Sequence, residues 1–319
     1  MAKQSAEPRK QRSHGRPTRS ARLGGLSKPV LIAGFLLALA AVVALGLFLR
    51  RGGGVDGGAI ATLRTGDFHA LAFSPSYPNI VFFGHHNGMM SSVDGGRTWS
   101  TLVDRPNFDA MGLAVSRANG RQIYIAGHDI LQVSTDGGAT WQPVTHNLPG
   151  TDIHGFAMSP DDPNHLYALV AGQGAFQSTD GGRTWQPLGS LPNDVMALAA
   201  AGGNPATIYA GSMSAGVLRS ADGGRSWTQA TAGMGARGIY ALAVDLSTQR
   251  TVYASGDGGL YKSTDSGASW SKLPFPGDNA ISLAVSPTQP NVLLAISVKG
   301  QQGLVYRSED GGQTWGKSQ

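Results

Sequence analysis

The chain has 319 residues with 46 glycines and no cysteine, so disulfide bonds and thiolate-bound metals are excluded. The formal net charge of +5 is unevenly placed. Residues 1–28 hold eight Lys and Arg against one Glu, whereas residues 52–319 hold fifteen Lys and Arg against nineteen Asp and Glu. Because nucleic-acid binding needs clustered cations, the mildly acidic body of the chain predicts no nucleic-acid partner there.

The first element along the chain is an apolar segment, residues 29–49, which has no charged residue in 21 positions. About 20 apolar residues make a helix long enough to cross a bilayer. The cations before it and Arg50 and Arg51 after it predict, by the positive-inside rule, a cytoplasmic basic tail (1–28) and an external remainder. A cleaved signal peptide would have a shorter apolar core followed by a small-x-small site, whereas "LFLRRGGG" follows here and favours an uncleaved anchor. Residues 50–58 are Gly-rich and predict a flexible linker.

One eight-residue motif then occurs six times, as "SVDGGRTW" at 92–99 and close copies at 134–141, 178–185, 220–227, 263–270 and 308–315. Every Trp of the chain ends a copy, at spacings of 42, 44, 42, 43 and 45 residues. Short apolar runs recur with the same period. This pattern is typical of a β-propeller with one four-stranded blade per repeat. Residues 59–319 are therefore predicted to form an all-β, six-bladed propeller after one N-terminal transmembrane helix.

The last repeat lacks an outer strand, since only "GKSQ" follows Trp315. Residues 59–64 precede the first inner strand and have no place in the first repeat. Ile60 stands before that strand at the spacing at which Leu102 stands before the second inner strand. We therefore predict that residues 59–64 supply the outer strand of the sixth blade, which would remove exposed sheet edges from the ring.

The repeated motif falls on a turn between the third and fourth strands of each blade. Asp and Ser side chains can bond turn backbone, Gly-Gly permits positive φ, and Trp buries a large ring, so the motif is expected to stabilise a hairpin. The residues S-x-D-G-G-x-T-W resemble the Asp-box, or BNR repeat, of sialidases, sortilin-type receptors, some endoglucanases and photosystem II assembly-factor-like propellers. The resemblance implies that the boxes are structural and lie away from the active face. Their aspartates are Asp94, Asp136, Asp180, Asp222, Asp265 and Asp310.

Residues 67–96 carry a narrower resemblance, to bacterial membrane-anchored propellers described as glycosyl-hydrolase-like. We call the face opposite the boxes the top face. It receives the loops that precede each inner strand and the turns that follow each second strand. Five of the eight histidines map to this face, in the first three blades, next to three aspartates. These candidate ligand-binding residues are His69, His85, His86, His128, His154, Asp67, Asp109 and Asp152.

Three interpretations of the top face stay open. The polar residues can be an ordinary rim, with the Asp before each strand serving only turn chemistry. They can bind a metal ion, with His85 and His128 as candidate ligands, because imidazole suits Zn, Cu, Fe and Ni. They can also hydrolyse glycosides, which needs two carboxylates about 5–5.5 Å or 6.5–9.5 Å apart. The candidate catalytic residues are Asp67, Asp109, Asp152 and Asp194.

Sialidase chemistry is disfavoured, because the only Glu after the apolar segment is Glu309, which lies inside an Asp-box. The sequence identifies no cofactor. The function we predict is a membrane-anchored propeller, periplasmic or extracellular, that binds a ligand or partner through its top face. Glycoside hydrolysis and metal binding are the alternatives.

Overall fold

The computed structural model describes residues 58–316, which belong to one compact unit of the chain. The predicted basic tail, the predicted transmembrane segment and all but the last residue of the predicted linker lie outside these residues. Within residues 58–316, no helix is long and apolar enough to cross a membrane.

Residues 58–316 contain 24 strands in six antiparallel four-stranded sheets, which confirms the predicted six-bladed all-β propeller. In chain order the strands are β1 (Ala61–Leu63), β2 (Ala70–Phe73), β3 (Val81–His85), β4 (Gly88–Ser92), β5 (Ser100–Asp104), β6 (Gly112–Val115), β7 (Ile123–Gly127), β8 (Ile130–Ser134), β9 (Gln142–Pro143), β10 (Ile153–Met158), β11 (Leu166–Val170), β12 (Gly174–Ser178), β13 (Gln186–Pro187), β14 (Val195–Gly202), β15 (Thr207–Ser212), β16 (Gly216–Ser220), β17 (Thr228–Gln229), β18 (Ile239–Val244), β19 (Val252–Gly256), β20 (Gly259–Ser263), β21 (Ser271–Lys272), β22 (Ser282–Val285), β23 (Leu293–Lys299) and β24 (Gln302–Ser308).

The first and last strands of the propeller pair in the sixth blade and close the ring. The sixth blade has the order β22-β23-β24-β1, so its outer strand comes from the start of the domain, with Ala61 paired to Val305. A single core cluster that includes Ile60, Leu71 and Phe83 spans the first and sixth blades. Burial of apolar side chains therefore helps to hold the two ends of the domain together.

The second strand of each blade lies between two apolar layers. β7, β11 and β19 are buried along their whole length, which explains their continuous apolar sequences. The blades approach closely at the end of β3, where a Cβ on Gly84 would lie 2.3 Å from the carbonyl oxygen of Ala110 in the next blade. The Ala110 N–H donates to the carbonyl of His85 at 3.2 Å across the same gap. Glycine at this position lets the top loops of the first two blades meet.

Each Asp-box is a closed hydrogen-bonded turn, as the third copy shows. The Ser178 hydroxyl donates to Asp180 Oδ1 at 2.8 Å and accepts the Gly182 N–H at 2.9 Å. The Thr184 N–H and hydroxyl donate to the two oxygens of Asp180 at 2.9 and 2.6 Å. The ring of Trp185 is buried and its Nε1 donates to the Gly182 carbonyl at 2.7 Å. The serine, aspartate and tryptophan side chains of the motif thus all form hydrogen bonds within the turn.

These hydrogen bonds stabilise the ionised form of the box carboxylates. The Thr140 hydroxyl and N–H lower the pKa of Asp136 to about 2, and the Ser269 and Ser263 hydroxyls lower the pKa of Asp265 to about 2. The same serine-to-aspartate hydrogen bond is present in all six boxes, at Asp94, Asp136, Asp180, Asp222, Asp265 and Asp310. A carboxylate held ionised by its own turn is suited to a structural role.

Candidate functional site

The top face of the first three blades carries a continuous line of alternating carboxylates and imidazoles, which we call the histidine row. Neighbouring members are in contact across the two gaps between these blades, and the imidazole rings lie 4.5–5.7 Å apart centre to centre. The members in spatial order are His69, Asp67, His86, Asp109, His128, Asp152 and His154. Seven of the eight predicted ligand-binding residues therefore lie together.

In the first blade, Asp67 connects the loop before β2 to the turn after β3. Its Oδ1 accepts the His86 N–H at 2.9 Å, and its Oδ2 contacts His86 Nδ1. The position of His86 is therefore fixed through both its backbone and its ring. Nε2 of His86 lies 3.1 Å from Nε2 of His69, which in turn lies 3.4 Å from Asp67 Oδ1. The three side chains form a compact group.

The second blade repeats this arrangement with a buried carboxylate. Asp109 is only 4% exposed, and its Oδ2 accepts the His128 N–H at 3.0 Å and contacts His128 Nδ1 at 2.5 Å. The other oxygen, Oδ1, is shielded from solvent without a hydrogen bond and lies 3.8 Å from His86 Nε2 in the first blade. Asp109 thus stands between imidazoles of two blades.

In the third blade, Asp152 continues the row. A β-bridge joins the backbones of His128 and Asp152 across the gap between the second and third blades. Asp152 Oδ1 lies 3.3 Å from His128 Nε2 and 2.9 Å from His154 Nε2. Asp152 Oδ1 and His154 Nε2 are both shielded from solvent, yet neither makes a hydrogen bond. Two polar atoms are therefore close together and unsatisfied.

Burial affects the protonation of the row at its first end. Desolvation lowers the pKa of His69 from its ordinary value and outweighs the opposing effect of Asp67. The imidazole of His69 is therefore neutral at neutral pH. A neutral imidazole keeps a lone pair that can accept a hydrogen bond or bind a metal.

His85 is the one predicted ligand-binding residue that lies outside the row. It is also one of the two candidate metal ligands, so the predicted pair His85 and His128 is not brought together. Its ring stacks on Phe83, with ring centres 5.9 Å apart, and its Nδ1 accepts the Asn87 N–H. His85 ends β3, so its side chain shares a face with Phe83 two residues earlier. His86, in the turn, takes the place next to His128 instead. Burial of the imidazole lowers the pKa of His85.

The fourth predicted catalytic residue, Asp194, also lies outside the row, in the fourth blade. Its Oδ1 accepts the Ser212 hydroxyl at 2.6 Å, and that hydrogen bond lowers the pKa of Asp194. In the fifth blade, Tyr240 stands at the position that His154 has in the third. Its hydroxyl donates to Asp257, and that bond raises the pKa of Tyr240. The chemistry of the top face is thus concentrated in the first three blades.

An open groove of about 1110 Å³ adjoins the row at Asp67 and His69. It is lined by the turn between β23 and β24, a hairpin whose strands have seven residues each, and by Arg64 and Phe68. Sequence reasoning did not find this groove. The signal for it was the spacing of 45 residues in the last repeat, the longest of the five, which reflects the longer hairpin.

Two family models match parts of the chain. The model described as Photosynthesis system II assembly factor YCF48 matches residues 67–190, and the model described as Sortilin, neurotensin receptor 3, matches residues 215–319. Together with six blades and six hydrogen-bonded boxes, these matches decide the repeat type. The chain is an Asp-box β-propeller. The search of curated proteins gives no significant match.

Solved structures share the fold of this Asp-box propeller. The GH74 xyloglucanase from Xanthomonas campestris is 21% identical with a TM-score of 0.59, and the match covers 81% of this chain and 46% of the enzyme. The chain thus spans about half the length of that hydrolase. YCF48 from Cyanidioschyzon merolae is 18% identical with a TM-score of 0.53, covering 81% and 86%. YCF48 bound to the D1 peptide is 16% identical with a TM-score of 0.51, covering 79% and 96%. Identities this low establish the fold alone.

Asp109 accepts the backbone N–H of His128 and also contacts its ring, and substitutions can separate these two roles. Asp109→Ala removes the acceptor for the His128 N–H, so we expect the free energy of unfolding to fall by about 1–3 kcal/mol, whereas Asp109→Asn retains an acceptor oxygen and should cost less. The matched control is Asp152→Ala, whose side chain is 46% exposed, and which we expect to change stability by about 0.5 kcal/mol or less. Urea denaturation of residues 52–319, followed by Trp fluorescence, measures all three. Equal losses for Asp109→Ala and Asp152→Ala would contradict the anchoring role.

Proposed function

We propose that this Asp-box propeller is a binding module, held outside the cytoplasm by residues 29–49, that takes a peptide, protein or glycan ligand on its top face. The observation that carries the proposal is the histidine row together with the groove that adjoins it at Asp67 and His69. An exposed concave surface with a few convergent polar groups is where ligands commonly bind. The propeller is expected to be periplasmic or extracellular.

The groove has features that suit a polar ligand. Val298 is 42% exposed on its wall, and Ile281 and Phe68 add apolar surface. The neighbouring side chains of Arg64 and Gln302 add hydrogen-bonding groups. A mixed lining of this kind can hold the apolar face of a sugar ring or a peptide side chain and orient its polar groups.

The structural neighbours support both ligand classes. YCF48, which shares the fold, is seen bound to the D1 peptide, and the Xanthomonas campestris enzyme is a xyloglucanase. Peptide and glycan are therefore the two ligands to test on this chain. The absence of clustered cations on the body of the chain gives no support to nucleic acid as a third.

Glycoside hydrolysis by paired aspartates is the less supported alternative. A general acid must carry a proton near neutral pH, which requires a raised pKa. The Ser212 hydroxyl instead lowers the pKa of Asp194, and Asp109 is buried beneath two imidazoles. Asp67 and Asp152 are each in contact with two histidines, so a glycosidic oxygen would compete with imidazoles for these carboxylates.

The membrane topology can be tested with single cysteines, because the chain has none of its own. Ser76→Cys lies on the exposed surface of the propeller and Ser5→Cys lies in the basic tail. In spheroplasts, a membrane-impermeant maleimide is expected to label Ser76→Cys at once and Ser5→Cys only after permeabilisation. The unmodified chain serves as the control without label. Immediate labelling of Ser5→Cys with protection of Ser76→Cys would contradict the proposed orientation.

Ligand binding can be tested on the full-length chain in nanodiscs, probed with xyloglucan oligosaccharides, a wider glycan array and an array of peptides from membrane-protein termini. We expect one array to give specific binding that weakens at least about tenfold in a His86→Ala/His128→Ala variant, because the row is removed. Arg121→Ala, exposed on the opposite face, is the matched control and should bind like wild type.

Two results would contradict the proposal. Binding that survives in the double histidine variant would move the site away from the row. Release of reducing sugar from xyloglucan that is lost in Asp152→Asn would favour hydrolysis over binding alone.

A further inference from the structure

We propose that His128, Asp152 and His154 form a binding site for a divalent transition-metal ion of the zinc class. One atom from each residue lies within 4.8 Å of the other two. The atoms brought together are two imidazole nitrogens and one carboxylate oxygen. Imidazole and carboxylate are established donors for zinc, which takes three protein ligands in open sites.

The distances match a coordination sphere. Ligands that hold zinc tetrahedrally at about 2.0–2.1 Å are roughly 3.3 Å from one another. Asp152 Oδ1 is 3.3 Å from His128 Nε2 and 2.9 Å from His154 Nε2. Protein atoms at this separation usually form a hydrogen bond, but Asp152 Oδ1 and His154 Nε2 form none and are shielded from solvent. A cation between them would satisfy both atoms.

A second shell supports the proposed site. His128 presents Nε2 to Asp152, while its Nδ1 contacts the buried Asp109 at 2.5 Å. Metal-binding histidines commonly donate their other ring N–H to a carboxylate, which fixes the tautomer and the ring orientation. Asp109 is additionally bonded to the His128 backbone N–H, so both the residue and its ring are fixed. Asp109 is thus a positioning residue for the proposed metal ligand.

The side of the site away from Asp109 is open. The side chains of His128 and Asp152 are 48% and 46% exposed, and that of His154 is 26% exposed. Three protein ligands leave a coordination position for water or for an oxygen of a bound molecule. This part of the inference rests on the proposed function, because the open position would be the point at which the ligand attaches.

Two further groups in the row have a similar composition, namely Asp67 with His69 and His86, and Asp109 with His86 and His128. In the first, both ring nitrogens of His86 already have partners, Asp67 and His69. The second shares His128 with the proposed site and has its carboxylate 3.8 Å from His86 Nε2. The group around Asp152 is the one in which two of the three donor atoms, on Asp152 and His154, are shielded from solvent without a hydrogen bond.

The donor types narrow the choice of ion. The chain has no cysteine, and the three donor atoms are nitrogen and oxygen, so soft ions such as Cu(I) are disfavoured. Calcium and magnesium prefer sites built from oxygen alone. Two imidazoles with one carboxylate suit zinc, and copper(II) or nickel(II) would compete for the same donors.

The test uses the full-length chain in detergent, purified with a tag that contains no histidine, and zinc as the probe. Wild type is treated with EDTA, incubated with zinc chloride, desalted and analysed by plasma mass spectrometry, and zinc affinity is measured by calorimetry. We expect about one zinc per chain, lost in His128→Ala/His154→Ala. Asp109→Asn should retain the site with an affinity about 10–100-fold weaker, because only the second shell changes.

The matched control is His85→Ala/His146→Ala, which removes two imidazoles outside the row and should retain full zinc. Circular dichroism checks that every variant is folded, and His154→Gln replaces the double variant if that one unfolds. No zinc on wild type, or equal zinc on all variants, would overturn the proposal. Two zinc ions on wild type, reduced to one in the double variant, would support it and add the group around Asp67.

The ligand arrays, repeated with EDTA and with zinc, separate this inference from the proposed function. Array binding without any zinc on wild type would refute the metal site and leave the binding module intact. Zinc retained at the site with no array binding would support the metal site and remove the evidence for a peptide or glycan ligand.

Discussion

The top face depends on one hydrogen bond, from the backbone N–H of the residue after a second strand to the aspartate before the inner strand of the same blade. Asp67 accepts from His86 and Asp109 accepts from His128 in this way. The bond ties the turn to the loop and brings an imidazole against the carboxylate that anchors it. Because neighbouring blades meet at Ala110 and at the bridge to Asp152, the groups become one row.

The two ends of each repeat use aspartate differently. In the third box, the turn supplies two N–H and two hydroxyl donors to the Asp180 carboxylate. At the top end, the backbone supplies one N–H donor each to Asp67 and Asp109, and the carboxylates of Asp67, Asp109 and Asp152 contact histidine rings. The repeated Asp-boxes therefore stabilise the scaffold. The residues of the first three blades that differ from the repeat form the histidine row.

The fold could be predicted because its signals are local and repeated. The spacing of the six tryptophans gave the blade count, and the missing last strand pointed to residues 59–64, of which Ala61–Leu63 pair with β24. The strand register also predicted that five histidines and three aspartates lie on one face. What the sequence could not give is which of two adjacent histidines joins the row. That choice depends on the turn geometry that directs His86 outward while His85 stacks on Phe83.

The remaining differences arise from single residues and loop lengths that depart from the repeat. Asp194 is placed like Asp109 in the repeat, but Ser212 ends the second strand of its blade, and its hydroxyl donates to the Asp194 carboxylate. The groove beside Asp67 depends on the length of one hairpin, which no residue pattern near Asp67 reveals. The Asp194 contact depends on one side chain within its own blade, and the groove joins residues far apart in the chain, so periodicity encodes neither.

The central claim is that the second and third blades place His128, Asp152 and His154 around one ligand-accepting position. Crystals of residues 52–319 soaked in zinc chloride, with diffraction data collected on both sides of the zinc absorption edge, test it most directly. The account predicts an anomalous peak bonded to His128 Nε2, Asp152 Oδ1 and His154 Nε2, with Asp109 still bonded to His128 Nδ1. A peak elsewhere, or no peak with Asp152 and His154 each bonded to other protein groups, would contradict it.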